Sequence, residues 1–372
     1  MITQNPWRIA HSEASLGWGG QEHRVLAELL GFRERGAWVA LLAPEHAEIF
    51  HRARASGIDV EPLDVSKAKY PLSALCLRRW LMANNVQVVN THSSRDGWLV
   101  GAAARLARVP LIIRSRHIEV DYPKPWVSRH AFTTFADHVV TTSERISNNL
   151  ISTFNLDEGC VSTIPTGTDL IRFSDEGPKA ELFDKTMDER PLVGMVSVLR
   201  SWKGHSVFLE AAKLLKIRGV GVRFVIVGEG PMREEILRLI SAHELSEDVL
   251  LAGFREDIPA VLRALDLLAI PSTNHEGIPQ IGLQALACRT PVVGSDAGGI
   301  PEIIRHGETG RIVAAGDAEL LANTIAETLM DDKGTTRMTD NGRVMVEREH
   351  GIDHMLDQLG RIYADHLINP HS

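Results

Sequence analysis

The segment HEGIPQIGLQALACRTPVVGSDAGGIPEII (275–304) strings together a carboxylate, a proline-bounded turn, a helix-forming stretch, a β-branched strand and a glycine pair. Glu276 comes just after the apolar run LLAIPS, at the mouth of a strand, where a carboxylate can accept hydrogen bonds from sugar hydroxyls. Gln284 lies eight positions on, within the expected helix, with both the donor and the acceptor needed to hold a ribose. The Gly298–Gly299 turn offers backbone N–H groups to a phosphate.

Other residues carry weaker chemistry. LGWGGQEHRV (16–25) is a glycine-rich turn leading into a helix, suited to anion binding and equally to a tight strand-to-helix connection. VIVGEGPMREE (225–235) tempts one towards a dinucleotide site. Arg233, however, stands where the third glycine belongs, and the next strand, VLLAG, ends in Gly253 without a ribose-binding acid. A nicotinamide-dependent dehydrogenase is thereby rejected. Lys203 in WKGH opens a helix as a flexible point charge, and His92 (NTHSSRD) and His117 (IIRSRHIEV) each end a strand.

These residues need elements to position them. Short apolar runs alternate with amphipathic stretches: WRIAH, WVALLA, VQVVNTH, LIIRS and HVVTTS in the first half, then LVGMVSVL, RFVIVG, VLLAG, LLAIPS and PVVGS. Nearly continuous apolar runs between helical periods indicate parallel strands covered on both faces by crossover helices. QEHRVLAELLGFRERG puts Val25, Leu26, Leu29, Leu30 and Phe32 on or near one helical face and stops at Gly36. Residues 165–191 are polar, with three prolines, and read as a connection. The expected division is a first Rossmann-like domain over 1–175, a linker over 176–191, a second domain over 192–350, and a terminal helix over 351–372 that packs back on the first domain. Two doubly wound sheets in tandem imply a cleft fed by the carboxyl ends of their strands.

Composition is that of an ordinary globular α/β chain: 372 residues, 44% hydrophobic and 24% charged. No apolar run is long enough to span a bilayer, and the first residues lack the pattern of a signal peptide. Cys76, Cys160 and Cys288 have neither zinc nor redox spacing, which suits a reducing cytoplasm. The net charge of −8 argues against nucleic-acid binding. It is unevenly spread: through Asp175 there are 19 Lys+Arg against 18 Asp+Glu, and 16 of the 19 are Arg. Such a half suits anionic lipid or a phosphorylated acceptor, or is simply a solvated surface.

The 275–304 segment resembles the signature of glycosyltransferase family 4, in which two Glu eight apart precede an Ala-rich helix, a Pro-Val-Val strand and Gly-Gly. SVLRSWKGHSVFLEA (197–211), VGEGPMREE (227–235), LLAGFREDIPAVLRALDLLAIPS (250–272), IPTGTDLIRF (164–173) and HGETGRIVAAGDAELLANTI (306–325) match at the expected spacing. The resemblance spans nearly the whole chain and implies the GT-B fold, two Rossmann-like doubly wound domains facing an interdomain cleft. The donor nucleotide would sit against the second domain, and the acceptor would enter from the first.

By that resemblance Lys203 binds the donor diphosphate, Glu276 meets the transferred sugar, and Gln284 holds the ribose. Gly277, Ile278, Pro279, Gln280, Gly298, Gly299 and Ile300 line the donor, and Gly19 and Gly20 close on its phosphate. His117 approaches the sugar and the reacting oxygens, and His92 is an acceptor contact or a support behind one. Two positions depart from the family. Ser197-Val198-Leu199 replaces Gly-Arg-Leu, with Arg200 displaced by two, and Gln284 replaces the second Glu. We take Arg200 still to reach the diphosphate.

The implied reaction is retaining transfer of a hexose-type sugar from a nucleoside-diphosphate sugar to a glycan or glycolipid hydroxyl. It needs no cofactor and no essential metal, because no Asp-x-Asp occurs and cationic side chains take the place of Mg²⁺. The expected partners are the nucleotide sugar, a lipopolysaccharide- or capsule-type acceptor and an anionic membrane touched peripherally from the cytoplasmic side. Basic support for the last comes from Arg33, Arg35, Arg52, Arg54, Arg78 and Arg79 on expected helices or their ends. Two alternatives stay open: a GT-B nucleotide-sugar epimerase, whose nucleotide release needs no acceptor, and a non-catalytic sugar-nucleotide-binding subunit, indifferent to Glu276→Ala.

Overall fold

A computed structural model describes residues 7–66, 70–120, 122–183, 189–274 and 276–368. Residues 1–6, 184–188 and 369–372, which carry part of the leader, linker and terminal-helix readings, lie outside them. The chain forms two compact units, one of 1–167 with 352–372 and one of 168–351.

In the first unit, seven parallel strands run in the order β3-β2-β1-β4-β5-β6-β7. They are β1 (Arg8–Ser12), β2 (Trp38–Ala43), β3 (Asp59–Pro62), β4 (Val88–Thr91), β5 (Leu111–Arg116), β6 (His138–Thr141) and β7 (Val161–Thr163). The central strands are buried throughout, as strands covered on both faces must be. Among the helices are α1 (Gly20–Glu34), α2 (Glu48–Ala55), α3 (Tyr70–Ala83), α4 (Ser94–Ala107), α5 (Pro125–Ser128) and α6 (Glu144–Phe154). Strand order reverses between β1 and β4, and the residues just past their carboxyl ends, Glu13 and His92, therefore flank the crevice where open α/β sheets take ligands.

The second unit has six parallel strands in the order β10-β9-β8-β11-β12-β13. These are β8 (Leu192–Val196), β9 (Arg223–Val227), β10 (Val249–Gly253), β11 (Leu267–Ile270), β12 (Val292–Ser295) and β13 (Arg311–Val313). Its helices are α7 (His205–Ile217), α8 (Arg233–Ala242), α9 (Ile258–Ala264), α10 (Gln280–Ala287), α11 (Ile300–Ile303), α12 (Ala318–Met330) and α13 (Asp332–Glu349). Here the order reverses between β8 and β11, so the loops at 197–204 and 271–279 lie side by side at the switch point.

The connecting segment differs from its sequence reading. The first unit ends at Gly167 rather than at 175, and residues from Thr168 onward pack with the second. Phe173 and Ala180 are buried in the second unit's core, the Ala180 amide donates to the Ala260 carbonyl, and Arg263 donates to the Ser174 and Pro178 carbonyls. Those scattered anchors have no period, so they leave no trace of packing in the sequence. The last helix, α14 (Ile352–Ile368), lies in the first unit, where Met355, Leu356, Leu359 and Tyr363 are buried. Tyr363 stacks on Phe32 with centroids 5.1 Å apart and meets Trp7 edge-on at 5.5 Å. No described helix is long and apolar enough to cross a membrane.

Candidate active site

At the switch point of the second unit, the loop after β8 carries Lys203 and the loop after β11 carries Glu276. Lys203 Nζ donates to Glu276 Oε1 at 2.5 Å, and the Ser272 hydroxyl donates to the same oxygen at 2.7 Å. The carboxylate is buried and the lysine about a quarter exposed, so the pair faces solvent through its cation. Backbone contacts hold the two loops together. The Thr273 amide donates to the Trp202 carbonyl at 2.8 Å, and Ser295 on β12 donates to the Ser272 carbonyl at 2.6 Å. Gly204 adopts a φ of +82°, and a β-carbon there would lie 1.9 Å from the Pro271 carbonyl oxygen. Only glycine permits that approach, which explains the glycine in WKGH.

The second glycine turn has a different task from the one its sequence suggests. The Gly299 amide donates to the Glu276 carbonyl and the Ile300 amide to the Ala297 carbonyl, both at 3.2 Å. The first docks the Glu276 loop and the second closes the turn itself, so neither N–H is a ready phosphate cradle. Ile278 and Ile300 are core residues, and Pro279 is the N-cap residue of α10. Gln280 and Gln284 are one turn apart on α10 and half-buried, which gives that helix a polar face four residues long. Gly277 is buried against Gly299. Arg200 is exposed, with its guanidinium 5.2 Å from the Trp202 ring centre, on the same short loop as Lys203. The structure thus brings Arg200, Lys203, Glu276 and the α10 glutamines into neighbouring loops and one helix of a single unit.

In the first unit, Gly19 is the N-cap residue of α1, and its amide donates to the Glu22 carboxylate at 2.8 Å. The helix start is therefore already satisfied by an anion from its own chain. At the β1–β4 switch point, His92 is fully buried, with Nδ1 at 2.9 Å from His117 Nε2 and Nε2 at 3.0 Å from His11 Nδ1. Both ring nitrogens being taken, His92 cannot touch an acceptor; of its two expected roles, only support of His117 fits. Burial holds both rings well below the ordinary histidine value.

Sequence reading missed the groups behind this row. His11 is pushed down to about 3 by burial and then by Arg24. Arg24 donates to Glu28 Oε1 at 2.7 Å and to the Ile164 carbonyl at 2.8 Å, and all three side chains are buried. Asp96 accepts from Ser12 at 2.7 Å and from the His92 and Ser93 amides at 2.9 and 2.8 Å. Glu13, beside it, is raised to about 8 by burial and then by the Asp96 charge. Among the described residues, His11, Glu28 and His92 also have donor atoms close enough together to hold a metal ion. The available signal was positional: Arg24 and Glu28 border the apolar stripe Val25–Leu29–Phe32 rather than opposing it.

A buried carboxylate tied to a partly exposed lysine, both at a switch point, is suited to an anionic ligand that bears hydroxyls. The cation meets negative charge, while the carboxylate accepts from hydroxyl groups. Known proteins agree with that chemistry. Residues 18–172 match the family model described as Glycosyltransferase Family 4, and residues 179–345 match that of Glycosyl transferases group 1. The alpha-D-kanosaminyltransferase of Streptomyces kanamyceticus is 28% identical over 77% of this chain and 81% of its own. An Escherichia coli UDP-Gal:alpha-D-GlcNAc-diphosphoundecaprenol alpha-1,3-galactosyltransferase is 27% identical over 82% of each. Among solved structures, a Rickettsia africae glycosyltransferase shares the fold with a TM-score of 0.88 at 20% identity, covering 98% of this chain and 100% of that one. Anabaena HepE, in complex with UDP, gives 0.85 at 20% identity over 96% and 100%. With both units matched to glycosyltransferase models and these relatives named as sugar transferases, the chain belongs to glycosyltransferase family 4 and is a GT-B enzyme.

Proposed function

We propose that this glycosyltransferase moves a hexose-type sugar from a nucleoside-diphosphate sugar to a hydroxyl of a glycan or glycolipid, with retention at the anomeric carbon. The observation that carries the reading is the Lys203–Glu276 pair at the switch point of the second unit. Lys203 turns to the diphosphate when the donor binds, joined by Arg200. Glu276, already fixed by Ser272, then accepts from the hydroxyls of the sugar, while Gln284 holds the ribose. The bond from the anomeric carbon to the phosphate oxygen breaks as the acceptor oxygen bonds on the same face, and the acceptor proton passes to the departing phosphate. The two cations stabilise the charge that builds on the leaving group, in the role a divalent metal plays elsewhere.

Relatives support the substrate class. The Escherichia coli one is named for UDP-Gal and a diphosphoundecaprenol-linked sugar, mycobacterial ones for GDP-mannose and phosphatidylinositol monomannoside, and HepE was also solved with UDP-glucose. For a lipid-linked acceptor the first unit has a suitable surface. Leu72, Leu75 and Met82 are exposed on α3 at spacings that put them on one face with exposed Arg79. On this reading that face rests on anionic lipid at the cytoplasmic side. Four other arginines of the basic half are engaged within the chain instead: Arg33 with the Ser56 carbonyl, Arg35 with Asp353 and Asp357, Arg52 with Glu48, and Arg78 with the Leu106 carbonyl.

A thermal-shift panel of UDP, GDP, ADP, CMP and dTDP, with and without sugar, tests the proposal on wild type and Glu276→Ala. One base should stabilise the protein, by roughly 2.7 kcal/mol at about a hundred times its dissociation constant. Its sugar conjugate should lose its added effect in the variant. Transfer assays with that donor then read the anomer of the product, and a glycosyl adduct trapped on Glu276 would overturn the mechanism.

A further inference from the structure

Glu28, His11, His92 and His117 form a row through the first unit: Glu28 Oε2 lies 3.7 Å from His11 Nδ1, His11 Nδ1 3.0 Å from His92 Nε2, and His92 Nδ1 2.9 Å from His117 Nε2. The rings stack at 5.0 and 5.1 Å between centroids. Only His117 reaches the surface, with 8% exposed against none for the other two histidines.

We propose that this row is a tautomer relay, in which Glu28 and His11, acting through His92, hold His117 as the neutral imidazole that carries its proton on Nδ1.

The argument is one of parity. A neutral imidazole has a single N–H, so in a row of neutral rings the direction of one hydrogen bond fixes all the others. Burial and the neighbouring guanidiniums of Arg24, Arg114 and Arg116 keep the rings neutral. Two facts set the direction at the inner end. His11 Nε2 is buried with no hydrogen-bond partner, and a proton there would be an orphaned donor. A Glu28 carboxyl oxygen sits beside Nδ1 instead, and its negative charge density favours the proton on that nitrogen. Burial raises the Glu28 carboxyl above its ordinary value, and the Arg24 guanidinium, 2.7 Å from its other oxygen, works against that rise; the Tyr363 hydroxyl is the remaining titratable group facing it. His11 Nδ1–H therefore donates to His92 Nε2, and His92 Nδ1–H donates to His117 Nε2. The proton of His117 is left on Nδ1, as a hydrogen-bond donor of fixed position. Glu28, His11 and His92 are thus positioning residues. Only the use of that donor on a substrate hydroxyl or oxyanion rests on the function proposed above.

The test reads ring nitrogens directly, in ligand-free protein labelled with ¹⁵N-histidine, by long-range ¹H–¹⁵N correlation. All three rings should show a protonated Nδ1 and a bare, pyridine-like Nε2. A proton on Nε2 of His117, an imidazolium, or one equivalent of tightly bound zinc in the purified protein would overturn the relay. His11→Phe keeps a stacked ring and leaves the Arg24–Glu28 pair in place. It should turn His92 and His117 into tautomer mixtures and lower kcat roughly tenfold, with donor KM nearly unchanged. If His117 in that variant stays wholly protonated on Nδ1, its tautomer is set elsewhere and the relay fails. Because the spectra need no substrate, that failure is separable from a failure of the transferase reading.

Discussion

A β-carbon added to Gly298 would stand 2.1 Å from the carbonyl oxygen of Glu276, so the glycine turn and the loop that carries Glu276 are packed as one piece. Gly298 also has a φ of +58°, a left-handed conformation that costs a residue with a side chain about 1–2 kcal/mol. Gly298→Ala must therefore both strain its own backbone and push the Glu276 loop away. It should lower Tm by roughly 4–8 °C and cost activity more than tenfold. Calorimetry paired with a transfer assay checks this, and full activity would show that the loop position does not matter.

Lys203 and Glu276 separate two parts of the donor. Lys203→Met should weaken the bare nucleoside diphosphate by roughly ten- to a hundredfold, the worth of a charge-assisted hydrogen bond. Glu276→Gln should leave that affinity alone while erasing the extra affinity of the sugar conjugate. Titration calorimetry with both ligands distinguishes the two outcomes.

Gln284 tests the ribose assignment. Gln284→Ala removes hydrogen bonds of ordinary strength and should raise donor KM about tenfold while changing kcat little. Gln284→Glu should tighten the donor, because an ionised acceptor holds a hydroxyl more strongly. An unchanged KM in both variants would place the ribose elsewhere.

The buried Glu13 gives stability a pH dependence. Its carboxyl is raised to about 8, so the folded chain holds a proton that the unfolded chain releases near 4.5. That stabilisation is complete below about pH 4.5 and is lost as pH rises through about 8. Denaturant midpoints of the wild type should fall across this window, and those of Glu13→Gln should fall less.

The exposed face of α3 predicts a salt-sensitive attachment. Wild-type protein should bind anionic vesicles at low salt and leave them at high salt. Leu72→Asp with Leu75→Asp should abolish sedimentation with vesicles, and transfer to a water-soluble acceptor should stay intact.

Much of this architecture is written in the sequence, because a strand buried on both faces needs an unbroken apolar run. WVALLA and LIIRS can hardly be anything else. Edge strands need no such run: β3 is DVEP, half exposed, and nothing in its composition marks it. Joint spacing singled out Lys203, Glu276 and Gln284, which the fold does bring to neighbouring loops and one helix, although the spacing hid what the Gly299 amide does. The Gly299 amide donates to the Glu276 carbonyl, a fact of tertiary approach rather than of residue type. Arg24 and Glu28 were easy to pass over for another reason, their only signal being a place at the border of the apolar stripe. Four apart on a helix, they look like a solvated pair, yet both are buried, and only the histidines beneath them reveal why.

The return of α14 to the first unit has a consequence for how the protein is made. The side chain of Leu356 lies so near Gly31 that an added β-carbon would overlap it, so α14 seats this side chain directly on the backbone of α1. On the ribosome, residues up to 167 emerge before the second unit, but the helix that completes their core emerges only after it. At roughly 5–20 residues per second, the first unit waits some tens of seconds while the second is synthesised and folds. Of the two units, the one begun earlier is thus finished later. A transcript cut short before codon 352 would yield a sound second unit tethered to an open first one.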